Sequence, residues 1–122
     1  MDVPCLRTIA IVAPGLDIAA VRHFCEQRVP PHALHQVRLE VEETRGAVTI
    51  VERRAPWRED FGPQWTTLPI ARLRYTVKTG AWTLYWRDRD QRWHRYDRIA
   101  PTADILALLD EVDRDPTGIF WG

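Results

Sequence analysis

Basic and flat-ringed residues recur at every second position along three segments in the second half of this chain. These are Arg72, Arg74, Thr76 and Lys78, then Thr83, Tyr85 and Arg87, then Arg92, His94, Tyr96 and Arg98. No carboxylate stands at any of these positions. Guanidinium groups neutralise phosphates and aromatic rings stack on unpaired bases, so the pattern suits single-stranded nucleic acid. A protein partner would use the same residue types. Enzymatic chemistry is the alternative. Cleavage of a phosphodiester by a ribose 2′-hydroxyl requires a base, an acid and cations for the developing charge. His94 could serve as base or acid with Tyr85 or Tyr96 as its partner, and Arg74, Arg87 and Arg92 would stabilise charge. That comparison with small RNA-cleaving toxins is one of architecture. The competing reading is a solvated face of strand-forming residues, with arginines lying over rings and counter-charges arriving from Glu59-Asp60 and Asp88 to Asp90.

Two further sets contain chemistry-bearing residues. His23, Cys25, His32 and His35 are all acceptable zinc-ligand types. On a helix, however, His23 and Cys25 diverge by about 200°, and Cys25 shares the apolar stripe, so the expectation is a buried structural thiol and no metal. Trp57, Phe61 and Trp65 follow one another at intervals of four, but Gly62 and Pro63 deny a continuous helix. This aromatic loop is expected to fold inward as a lid on the core. The alternative is an exposed partner site supported by Arg53, Arg54 and Arg58. Ile119-Phe120-Trp121 is expected to dock onto the domain. No glycine-rich phosphate loop, catalytic triad or paired carboxylates occur, and no cofactor is implied.

The elements that must position these residues follow from periodicity. Ile18, Val21, Phe24 and Cys25 share a helical face, with Asp17 expected as N-cap, Leu16 stapled against Val21, and Pro30-Pro31 as the stop. From Val37 the period becomes two, and a turn at Arg45-Gly46 sets Val41 opposite Ile50. A second hairpin is expected to turn at Thr79-Gly80, pairing Val77 with Trp82, Tyr75 with Leu84, and Leu73 with Trp86. That register sets Arg74 opposite Tyr85. A polar turn in RDRDQ leads to a fifth strand, Arg92 to Arg98, with Trp93 opposite Trp86 and His94 opposite Tyr85. Thr102 is expected to cap a second helix, whose Ile105, Leu106, Leu108, Leu109 and Val112 form the apolar face before Asp115-Pro116. The result is an α+β fold: N-terminal helix, five-stranded antiparallel β-meander, C-terminal helix.

At 122 residues the chain suffices for one core. We divide it into an N-terminal extension, residues 1–15, and a single α+β domain, residues 16–122. Lys and Arg total 17, as do Asp and Glu, which excludes the global basicity of a chromatin-type protein and makes any electrostatic function local. Cys5 and Cys25 are too few for a disulfide framework and are expected to be thiols in a reducing cytoplasm. The apolar run Ile9 to Ala13 is too short for a membrane span, so no membrane association is expected.

Several stretches together carry a family resemblance: VRHFCEQRVPPH, VERRAPWREDFGPQWTTLPIARLRY, WTLYWRDRDQRWHRYD and the terminal DPTGIFWG. From about Asp17 to Gly122 the chain resembles a bacterial family of small proteins, domain of unknown function 3024. The resemblance implies no activity and assigns no functional residue.

Overall fold

The computed structural model describes residues 13–121. Helix α1 (Gly15–Arg28) is followed by strands β1 (Val37–Thr44), β2 (Ala47–Arg54), β3 (Thr66–Thr76), β4 (Ala81–Arg87) and β5 (Trp93–Arg95), and then by helix α2 (Ile105–Arg114). Short 3-10 turns occupy Pro31–Ala33 and Glu59–Phe61. The five strands form one antiparallel sheet in chain order. This is the α+β meander between two helices that the periodicity predicts. The expectation for residues 1–12 lies outside the described residues; Ala13 is already part of the core.

Both helices pack on the same face of the sheet. Val21 and Cys25 of α1 and Ile105, Leu108, Leu109 and Val112 of α2 join Val48, Ile50, Leu73, Trp82 and Leu84 in one apolar cluster. Alternation along each strand sends these residues to the helix side and their neighbours to the other. The C-terminal rings dock as expected. Phe120 is buried against Tyr96, the Trp121 indole N–H donates to the Val112 carbonyl at 2.7 Å, and the Arg28 guanidinium lies 3.9 Å over the Trp121 ring.

Helix ends depart from the sequence reading. α1 starts at Gly15 after Pro14, so Asp17 lies in its first turn and is not the N-cap. Its carboxylate instead accepts the Trp82 indole N–H at 2.8 Å. Leu16 makes no staple, being 87% exposed. In α2 the N-cap is Asp104, whose side chain accepts the Leu106 amide at 3.1 Å. Thr102 sits just before it, bridged to Trp82 through backbone hydrogen bonds. Leu106 points to solvent, and Glu111 takes the buried place on α2.

The first hairpin has the expected register, Val41 opposite Ile50, and its two-residue turn places Gly46 at φ 75°, where a side chain would be strained. The second hairpin is displaced. Tyr75 pairs with Trp82, Leu73 with Leu84, and Ala71 with Trp86, two residues from the predicted pairing, while Val77 lies in the turn and is exposed. A four-residue loop makes the difference: it closes on the Gly80 N–H donating to the Thr76 carbonyl at 2.8 Å, with Gly80 at φ 66°. Because the slip is an even number, Trp82 and Leu84 remain on the core side. β3 also begins earlier than predicted. Pro69 is accommodated within it because the register with β2 shifts between Ile50 and Val51.

Candidate functional site

The sheet face away from the helices is built by strands whose facing residues pair across the ladder. Arg74 stands opposite Thr83, Arg72 opposite Tyr85, Tyr85 opposite Arg95, and Arg87 opposite Trp93. Among the described residues no helix covers this face, since both pack on the other. Beneath the long side chains the sheet is closed to water: Ala47, Thr49 and Val51 of the interior strand β2 point to this face and are buried, Val51 to 1% exposure. The Arg72 Nε donates to the Thr49 hydroxyl at 3.0 Å, and its guanidinium lies 4.5 Å over the Trp93 ring. A hydrogen bond from below and a ring alongside hold this cation flat against the sheet.

Among the described residues, counter-charges do not reach this patch. Asp60 is engaged by Arg58 at 2.7 Å and Asp88 by His94 at 2.6 Å. Arg72, Arg74, Arg87 and Arg95 form no ion pair among the described residues. Among the described residues, carboxylates appear on the face only at its far edge, where β1 contributes Glu40 and Glu42, and Glu40 is paired with Arg53 at 3.1 Å. The basic residues of β3, β4 and β5 thus remain available to a ligand.

The fifth strand is short, Trp93–Arg95, and its register is one residue from the predicted one: Trp86 pairs with His94, not with Trp93. A one-residue slip exchanges the two faces. Trp93 and Arg95 therefore join the open face, and His94 leaves it to stack on Trp86 on the helix side at 4.8 Å between ring centroids. Arg92 lies in the turn before β5. The turn itself explains the slip. Asp88 accepts the amides of Asp90 and Arg92 at 2.8 and 3.0 Å, and Gln91 adopts φ 67°. These hydrogen bonds, chiefly that from the Arg92 amide, and the contact with His94 hold the half-buried Asp88 carboxyl below its ordinary range. Tyr96 also leaves the predicted site. It lies beyond β5, buried, with its hydroxyl donating to Glu111 Oε2 at 2.7 Å. Burial first, and this bond second, raise its phenol above the ordinary value. The sequence reading missed Trp93 and Arg95 as face residues; the capping pattern of Asp88 was the signal that would have found them.

The aromatic loop does not fold inward as a whole. Trp57 is 80% and Phe61 57% exposed, packed edge to face at 5.4 Å with the Arg58 guanidinium beside both rings. Gly62 at φ 85° ends the short turn, so the segment cannot continue as a helix toward the core. Only Trp65 is half-buried, beneath the Arg38 guanidinium at 4.7 Å. The loop leaves the sheet at the end that also holds Arg87 and Trp93, between the last residue of β2 and the first of β3.

Cys25 is buried, and burial pushes its thiol up to about 12. It is no nucleophile at neutral pH. Among the described residues no group of three or more His, Cys, Asp or Glu is arranged to hold a metal ion, so His23, Cys25, His32 and His35 do not converge.

A family model, domain of unknown function DUF3024, matches residues 13–122, which covers both helices and every strand of the sheet. The chain belongs to this family. No curated protein and no solved structure matches it. No described helix of this DUF3024 chain is long and apolar enough to cross a membrane.

Proposed function

We propose that this protein is a small cytoplasmic binding module for single-stranded nucleic acid, acting through the open face of β3, β4 and β5. One observation carries the reading: the Arg72 guanidinium lies over Trp93 beside Tyr85, with Arg74 and Arg95 adjacent and no carboxylate on these strands to neutralise them. Rings to stack on bases and cations to meet phosphates are the two components such recognition needs. The unpaired, buried Cys25 is in keeping with a reducing compartment. An RNA-cleaving activity has less support, because with His94 on the helix side this face offers no imidazole to move a proton.

Fluorescence anisotropy with labelled single-stranded RNA tests the proposal. Binding should weaken steeply with salt, and Arg74→Ala and Arg95→Ala should each reduce the salt slope by roughly 1. Trp93→Ala should weaken binding at all salt concentrations. Absence of retention at low salt, or equal affinity for a duplex of the same length, would sink the idea. A second reading, a protein partner, is favoured by the exposure of Trp57 and Phe61. Light scattering of wild type and Trp57→Ala across concentrations would reveal whether self-association uses that loop.

A further inference from the structure

A separate depression lies at the end of the sheet where β3 begins and β4 finishes, with a volume of about 440 Å³. That is within the range of small-molecule sites, roughly 300 to 1,000 Å³. Its apolar wall comes from Pro69, Ile70, Ile119 and Phe120, and its polar side from Arg87 and Arg89. Ile70 and Phe120 are core residues, so this wall is fixed by the packing of the whole domain. The bulge at Ile50/Val51, which admits Pro69, and the docked C-terminal segment bring it together.

Arg87 is the unusual component. Its Nε is buried with no hydrogen-bond partner, and neither Arg87 nor Arg89 forms an ion pair among the described residues. The one carboxylate in the wall, Asp88, is already engaged: one oxygen accepts two backbone amides of its own turn and the other contacts His94. A buried guanidinium N–H without an acceptor is costly, and an arginine fork matches a carboxylate in two parallel hydrogen bonds. The pocket therefore combines a cation uncompensated among the described residues with a rigid apolar wall.

We propose that this pocket binds an organic carboxylate carried on an apolar or aromatic body, with Arg87 holding the carboxylate and Phe120 and Ile70 receiving the body. A phosphate head is the poorer match, because no glycine loop or helix start at the rim supplies the cluster of backbone N–H groups that phosphate sites use. The same chemistry arises in a free aromatic acid and in the C-terminus of a peptide ending in an apolar residue. This inference does not rest on nucleic-acid binding, although Arg87 also borders the open face.

The test is NMR titration of the full chain with 3-phenylpropanoate, with the neutral 3-phenylpropanol as control. The acid should shift the amides of Arg87, Arg89 and Phe120 saturably, and the alcohol should bind at least about tenfold more weakly. Arg87→Gln should remove that preference. Arg89→Gln, at an exposed position that forms no ion pair among the described residues, should weaken it, so the idea remains testable if Arg87→Gln is unstable. A short peptide ending in free phenylalanine, compared with its C-terminal amide, distinguishes the two sources: tighter binding than the small acid assigns a protein terminus, and weaker binding a free metabolite. Equal affinity for acid and alcohol, an unchanged dissociation constant in both variants, or no saturable shift at millimolar acid would overturn the proposal.

Discussion

The Trp82 indole N–H donates to Asp17 Oδ2 at 2.8 Å, joining the start of β4 to the first turn of α1 across 65 positions of sequence. Trp82 is fully buried, so its N–H has no recourse to water if the acceptor is lost. Asp17→Ala should therefore cost about 1–3 kcal/mol in urea unfolding, the penalty for an unsatisfied buried donor. Asp17→Asn keeps an acceptor oxygen and loses only the charge at the helix start, so its cost should be smaller, about 0.3–1 kcal/mol. Equal losses in the two variants would show that the hydrogen bond contributes little.

A comparable bond joins Tyr96 to Glu111, both buried, at 2.7 Å. Glu111 also accepts from Arg114 at 3.2 Å, so removing the Tyr96 hydroxyl does not leave the carboxylate unpaired. Tyr96→Phe should cost about 1 kcal/mol, near the net value of one hydrogen bond. Glu111→Ala leaves the phenol unsatisfied and should cost more. Paired chemical denaturation of the two variants checks the order.

On β1 to β4 the helix-facing residues were legible in the sequence, as was the register of the first hairpin; the registers of β3 with β4 and of β4 with β5 were not. Alternation at Leu73, Tyr75, Trp82 and Leu84 fixes parity, but any even slip satisfies it equally, and the four-residue turn ending at Gly80 selects the observed one. At β5 the outcome turned on Asp88. Pairing Trp93 with Trp86 satisfies apolarity, whereas the side-chain hydrogen bonds of Asp88 to its own turn set a register one residue away and exchange the faces of Trp93 and His94. Basic and aromatic content of the open face was therefore readable from β3 and β4, and its fifth-strand members were not.

The exposed and half-buried rings of the Ala55–Thr66 loop should separate on mutation. Trp57→Ala should leave stability within about 0.5 kcal/mol of wild type, as for other surface substitutions. Trp65, half-buried under Arg38, should cost about 1–2 kcal/mol when replaced by Ala, less than a fully buried indole. Thermal unfolding of both variants decides whether the loop supports the core through one ring or through all of them. A large loss at Trp57 would restore the lid.

Cys25 provides a test at alkaline pH. Its thiol is raised from 9.0 to about 12, chiefly by burial. A raised folded-state value means that the folded chain holds its proton more tightly than the unfolded chain. The associated stability is complete below pH 9 and is lost as pH rises toward 12. Stability measured by urea unfolding should fall over that interval, and Cys25→Ala should flatten the part of the fall due to the thiol while lowering stability at neutral pH through lost packing. Tyr96, raised by burial and by Glu111, contributes a decline of the same sign that begins above its ordinary value of 10.0, so the Cys25 portion is read as the difference between variants at each pH. In a Cys5→Ser background, native protein should react slowly with a thiol reagent at pH 8 and rapidly once unfolded; fast reaction of the folded form would mean that Cys25 is not enclosed by the core.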